Sequence, residues 1–138
     1  MVINLYDSLY SILPENTLGK RLKKARLRLG LSQEQLAIKC CLSRGAIVGY
    51  EDDLIHPSQS ALLALTKVIN IDYLCCDDYS KFLLSDYVNR LKNWRTDNNL
   101  SMRKAAKFLD MSSSTYAAWE KGKYSISEKN YNKIKDKL

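Results

Sequence analysis

SQEQLAIKCCLSRGAIVGYE, residues 32–51, is the stretch whose reading decides the fold. It reads as two short helices joined by a tight turn. Ser32 is a good N-cap, and Gln35, three residues on, completes a capping box. Leu36, Ala37 and Cys40 recur at helical spacing and make one inward face. Ala37 is small enough to let a second helix cross closely. Cys41-Leu42 forms the turn, and Ser43 caps the second helix. That helix turns Ala46, Ile47 and Tyr50 inward and offers Arg44, Gly45, Val48 and Gly49 outward.

This is the layout of a helix-turn-helix, whose second helix enters the DNA major groove. The stretch resembles the XRE class of repressors, the family of the phage repressors and Cro. The residues that carry the resemblance are Leu31-Ser32-Gln33, Leu36-Ala37, Ser43, Ile47 and Tyr50-Glu51. The resemblance implies a lambda-repressor-like domain in which the residue at Gln33 touches a phosphate. It also implies that Arg44, Gly45 and Gly49 face base edges. Two departures stand out. The turn position usually held by Gly is Cys41, and the loop after Glu51, usually Asn-Gly-Lys or similar, is Asp52-Asp53-Leu54. Asp tolerates a left-handed turn, but two acids beside a phosphate backbone weaken binding there.

The motif occurs twice. At an offset of 69 residues, without a gap, nine of the 31 positions from Arg21 to Glu51 are identical to their counterparts. The matches include Arg21 with Arg90, Leu22 with Leu91, Arg26 with Arg95, Ser32 with Ser101, Ser43 with Ser112 and Glu51 with Glu120. Chance would give roughly two identities. Leu83–Asn98 is then the counterpart first helix and Ser101–Leu109 the scaffold helix. Asp110-Met111 is the turn, and Ser112–Lys121 the second recognition-type helix. Its end, Trp119-Glu120-Lys121-Gly122-Lys123, fits the family loop better than the first copy does. Its base-facing positions are the short Ser113, Ser114 and Ala118, and Met102 replaces Gln33. One further helix, from about Ser127, closes the copy.

Around the two motifs the reading is plainer. Val2, Leu5, Tyr6, Leu9, Ile12 and Leu13 share one helical face ahead of Pro14 and form an added N-terminal helix. Thr17 or Asn16 caps the next helix, with Leu18, Leu22, Ala25 and Leu29 inward. Lys20, Arg21, Lys23, Lys24, Arg26 and Arg28 crowd its remaining surface, and some of them can reach phosphate. Gly30 ends it in the left-handed conformation. His56 reads as a loop residue near the DNA backbone. Ser58 caps a helix to about Asn70, and Ile71-Asp72-Tyr73-Leu74 resembles the family's closing segment, which implies that Asp72 caps a last short helix. Cys40-Cys41 and Cys75-Cys76 lack the spacing of a structural zinc site and read as small buried hydrophobes.

Charge divides along the same line. Residues 1–78 carry nine Lys+Arg and nine Asp+Glu, whereas residues 79–138 carry 13 and six, the whole net +7. A basic balance favours a polyanionic partner. Enzyme chemistry has no support in the sequence. There is no Gly-rich phosphate loop and no HExxH, and the single His, with no local partner, leaves a His-based triad unsupported. Ser112-Ser113-Ser114 is better explained as an N-cap than as a nucleophile. No cofactor or metal is implied. No apolar run approaches the roughly 20 residues that span a bilayer, and the N-terminus lacks a basic leader region, which points to the cytoplasm.

The sequence therefore predicts an all-α fold of two tandem lambda-repressor-like helix-turn-helix domains, the second truncated at its C-terminus. The expected boundaries are 1–16 for the added helix, 17–78 for the first domain and 79–138 for the second. The expected function is a sequence-specific double-stranded DNA-binding transcription regulator, more a repressor than an activator. The first copy reads bases and the second mainly contacts phosphates. The expected contact set is Gln33, Ser43, Arg44, Gly45, Gly49, Arg103, Ser112, Ser113, Ser114, Ala118, Lys121 and Lys123. Pairing of chains into a homodimer and use of a single chain as a pseudo-dimer both remain open. The alternative is a protein-interaction module, an antitoxin or adaptor on the same fold.

Overall fold

A computed structural model describes residues 11–138. The helix expected over residues 2–13 lies outside that range but for its last three positions, which form a turn. Among the described residues there are ten helices and no strand. The first five are α1 (Leu18–Arg28), α2 (Gln33–Cys40), α3 (Arg44–Glu51), α4 (Gln59–Leu65) and α5 (Ile71–Leu74). The others are α6 (Asp78–Leu84), α7 (Tyr87–Asp97), α8 (Met102–Phe108), α9 (Ser113–Glu120) and α10 (Glu128–Ile134). The chain divides into two compact units, one ending at Ser80 and one beginning at Lys81. No helix among the described residues is long and apolar enough to cross a membrane.

In the first unit each start signal is used. The side chains of Thr17, Ser32, Ser43 and Ser58 accept backbone N–H groups of the helices they precede. Ser32 and Gln35 form the complete capping box. α3 packs on both α1 and α2, and α5 on α1. Leu22, Leu36, Ile47, Leu62, Leu65 and Leu74 are wholly buried, each stabilising by about 1.5–3 kcal/mol. Cys40 and Cys75 are buried among these apolar groups, and burial pushes the Cys75 thiol up to about 11. Three expectations need correction. Of the four cysteines read as buried, Cys41 and Cys76 are exposed. Leu29, read as inward, lies past the last turn of α1 and is 52% exposed. Asn70, not Asp72, caps α5, its Oδ1 accepting the Asp72 and Tyr73 amides at 2.8 and 3.3 Å. Asp72 stands inside the first turn, too late to cap it.

In the second unit α7, α8 and α9 repeat α1, α2 and α3. The cores differ by compensation: buried Leu36 and Ile47 become Ala105 and Tyr116, all fully enclosed. The helix expected over Leu83–Asn98 is broken in two at Ser85-Asp86. The Ser85 amide closes onto the Lys81 and Phe82 carbonyls, and the Asp86 carboxylate then caps α7 through the Asn89 amide. Ser127 caps α10, the last helix. This unit has counterparts of α1–α4 and none of α5.

The repeat is also written in the backbone. Six described residues have positive φ, and they form three pairs at the offset of 69: Gly30 and Asn99, Cys41 and Asp110, Asp53 and Gly122. All six close a helix with the same two bonds. In the turn of the first motif the Cys41 amide donates to Ile38 O at 3.2 Å and the Leu42 amide to Ala37 O at 2.9 Å. In the second the Asp110 and Met111 amides do the same to Lys107 and Ala106 at 3.1 and 2.8 Å. This is the Schellman closure, which glycine adopts without strain. Cys41 pays for its φ of 55° with no contact that burial would reward, because it is exposed. Cys41→Gly is therefore expected to stabilise the protein by about 0.5–1 kcal/mol. A chemical denaturation midpoint that falls instead would show that the thiol holds the turn.

Candidate nucleic-acid interface

The start of α3 is open to solvent. Ser43, Arg44 and Gly45 are exposed, and a Cβ at Gly45 would meet nothing within 4 Å. Ser43 Oγ accepts the Ala46 amide at 3.1 Å, which leaves its hydroxyl hydrogen free to donate outward. Gly49 is different. It is buried, and a Cβ there would meet Ile55 Cγ1 and Cδ1 at 3.0 Å. The expected outward position at Gly49 is thus covered by a loop side chain, because the chain doubles back over the helix end. The open face of α3 is Arg44 and Gly45, with Val48 half-buried.

The last residue of α3 fixes that face. Arg26 forks onto Glu51 through Nε at 2.7 Å and Nη2 at 2.9 Å, while Nη1 donates to Leu31 O at 2.8 Å. The two side chains are only 9% and 2% exposed. A buried bidentate pair of this kind sets orientation as well as energy. Gln33 Nε2 also donates to Glu51 Oε1, at 3.3 Å.

The basic run of α1 behaves otherwise than expected. Arg21, Lys24 and Arg26 are buried. Arg21 donates to Leu74 O and Glu15 O, both at 3.1 Å, and to Asp77 at 2.6 Å. Lys24 donates to the Ser11 and Leu13 carbonyls and pairs with Glu15. Half of the run therefore bonds to carbonyls and carboxylates within the unit rather than facing solvent. Lys23 is exposed and Lys20 half-buried. His56, expected beside the DNA backbone, is half-buried. Its ring packs edge-on against Tyr79 at 4.6 Å, with Nε2 3.2 Å from Ser80 Oγ. A polar aromatic ring next to a ready hydroxyl and a second ring is drawn into the unit.

The second unit repeats the clamp with altered partners. Arg95 Nε and Nη2 reach Glu120 at 2.7 and 3.2 Å, and Nη1 donates to Leu100 O at 3.2 Å. Where the first copy has Gln33, the second has Met102, and the carboxylate instead accepts Tyr116 OH at 2.8 Å. Burial opposes the charge on Glu120. The hydrogen bonds from Arg95 and Tyr116 and the Arg95 charge outweigh it and hold the carboxyl below its usual range. Burial, then the bond to Glu120, pushes the Tyr116 phenol up.

Ser112, Ser113, Ser114, Arg103, Lys121 and Lys123 are all exposed, whereas Ala118 is 9% exposed and presents little surface. The Ser112 hydroxyl is taken up locally, donating to Thr115 Oγ1 at 2.7 Å. A groove beside α9 is lined by Ser114, Ala118, Lys121, Lys123, Tyr124, Ser127 and Asn130 among others, with no acid in its wall. Such a wall suits an anion.

The helix-turn-helix family model matches residues 22–74 and, separately, residues 91–138. The chain belongs to the helix-turn-helix family. Both matches span a motif described above, as the resemblance to the XRE class led us to expect. The chain is also similar to the HTH-type transcriptional regulator ImmR of Bacillus subtilis (strain 168), with 36% identity over 80 residues. The match covers 56% of this chain, which spans 63% of the length of that relative. No solved structure matches.

For a helix-turn-helix chain, the sequence reading missed two things. One is the Arg–Glu clamp, although both members of it are among the nine repeat identities, as Arg26/Arg95 and Glu51/Glu120. Opposite charges kept together at a separation of 25 were the available signal. The other is Ile55, which no helical periodicity could place on α3.

Proposed function

We propose that the chain is a cytoplasmic, sequence-specific double-stranded DNA-binding transcription regulator that acts as a repressor, built from domains 17–78 and 79–138. The first copy reads bases through the start of α3. The second contributes phosphate contacts through Lys121, Lys123, Arg103 and the Ser113 and Ser114 hydroxyls. One observation carries the reading. Arg44 and Gly45 stand open at the N-terminal end of a helix whose far end is locked by a buried ion pair. The N-terminal residues of a recognition helix are those that meet base edges, and Arg to guanine is the commonest specific contact. The similarity to a transcriptional regulator of Bacillus subtilis supports the same function.

The test is selection of bound duplexes from a random pool by the wild type and by Arg44→Ala in parallel. The expected result is an enriched motif that loses one position in the variant, with about 1–3 kcal/mol of discrimination lost there. An unchanged motif removes Arg44 from the reading.

A second reading, a protein-interaction module, is favoured by the taking up of half the α1 cations and by exposed Ile38 and Leu63, 71% and 51% accessible. Salt separates the two. Phosphate binding must weaken as salt rises, whereas docking on aliphatic groups does not.

A further inference from the structure

Residue 49 is where a recognition helix would send a third side chain outward, and here it is glycine. Its place is not empty. The direction a Cβ would take from Gly49 leads onto Ile55 at 3.0 Å, and Ile55 is itself 53% exposed. The loop is built to hold it there. Asp53 takes a left-handed φ of 56°, which reverses the chain. The Leu54 and Ile55 amides then both close onto Gly49 O, at 2.9 and 3.3 Å. The Asp53 carboxylate is held from α1 by the Thr17 hydroxyl at 2.9 Å. An exposed isoleucine pinned by two backbone bonds on a helix meant for the major groove is already ordered before it meets a ligand.

We infer that Ile55 is a base-reading residue of the first copy and selects thymine through its C5 methyl group; this rests on the reading of α3 proposed above. The chemistry of the face leaves few alternatives. Beyond Ser43 and Arg44 at its start, the open surface of α3 consists of Gly45, half-buried Val48 and Ile55, none of which donates or accepts through a side chain. In the major groove the thymine methyl is the apolar feature of the base edges. A side chain that covers a glycine on the helix can press on that methyl without a clash from residue 49. The second copy has Tyr124 at this place, 62% exposed and in the same groove as Ala118, the counterpart of Gly49. The position is thus kept large and exposed in both copies while its helix neighbour is kept small.

The experiment uses the full chain and the duplex it selects, resynthesised with deoxyuridine for thymidine at one position at a time. That change removes only the methyl. The wild type should lose roughly fourfold in affinity at one or two thymines, the effect of exposing one buried carbon group. Ile55→Ala should bind the two duplexes equally, and Gly49→Ala, whose Cβ makes Ile55 give by a few tenths of an ångström, should weaken the discrimination. Arg44→Ala should keep it. Indifference of the wild type to uracil at every position overturns the inference while leaving sequence reading by α3 intact, and so does methyl sensitivity retained in Ile55→Ala. A pool that enriches no motif at all removes the reading of α3 itself, and the role of Ile55 with it.

Discussion

Glu51→Ala is expected to remove about 3–5 kcal/mol from the stability of the first unit, the range for stripping one partner from a buried ion pair. The size follows from what is left behind. Arg26 is 9% exposed on its side chain and would keep only the Leu31 carbonyl as an acceptor. A guanidinium in that position can neither lose its proton nor reach water. Small domains are held by only about 5–15 kcal/mol, so the loss is a large share of the whole, and a urea melt followed by circular dichroism will show it. The double replacement Arg26→Leu with Glu51→Leu should restore most of it, since two apolar groups need no counter-charge. If Glu51→Ala alone costs under about 1 kcal/mol, the pair behaves as an exposed one. Glu120→Ala should cost less than Glu51→Ala, because Arg95 is 22% exposed and can be rescued by water. Acid should reproduce that loss. The folded Glu120 carboxyl is held below its usual range. Its stabilising contribution is therefore complete above that range and disappears as pH falls through the lowered value. Trp94 and Trp119 are the two tryptophans of the chain, both in the second unit. Their fluorescence reads this directly, and Glu120→Gln should flatten the acid limb.

Gly19→Ala should destabilise by about 3 kcal/mol, at the upper end of overpacking. Helix propensity alone gives the opposite sign, a gain of up to about 1 kcal/mol. The structure decides between them. A Cβ at residue 19 would stand under 3.0 Å from the Tyr50 carbonyl oxygen and a carboxylate oxygen of Asp53, a separation Cβ atoms essentially never show. The carbonyl cannot turn away, because it accepts the Asp53 amide at 3.2 Å at the end of α3. α1 must then withdraw from α3, and the loop that carries Ile55 moves with it. Both a lower melting temperature and weaker duplex binding are expected. Gly19→Ala with an unchanged or higher melting temperature would mean that the two helices are not in this contact. The counterpart in the second copy is Val88, so this close approach belongs to the first copy alone.

Much of the fold was legible because it depends on neighbours in sequence. The Ser32–Gln35 capping box, the Ser43, Ser58 and Ser112 caps and the inward run Leu36, Ala37, Cys40 are all local, and all are used as read. The left-handed turn at Cys41 was visible only because the motif places a glycine there. What escaped was decided at long range. Nothing near Arg21 announces Leu74 or Asp77, 53 and 56 residues away, so three buried cations of α1 looked like a solvated face. The break at Ser85-Asp86 lies upstream of Arg90, where the aligned repeat begins; carried back to the Thr17 cap, the same offset lands on Asp86, the cap of α7. At the candidate interface Arg44 and Gly45 were placed by helical period. Gly49 was covered by Ile55 because the chain, not the helix, determines what lies over a glycine.

The third partner of the clamp carboxylate has a consequence for how the two copies can diverge. In one, the extra lone pair is served from the scaffold helix, by Gln33; in the other it is served from the recognition helix, by Tyr116. A recognition helix moved from one copy to the other therefore arrives with the wrong complement. Transplanting α9 into the first copy would set a tyrosine ring where Ile47 is enclosed and two donors at one oxygen. The reverse graft would leave that oxygen facing Met102. The two helices are not free cassettes, and exchanging them between copies requires residue 33 or 102 to travel with the helix.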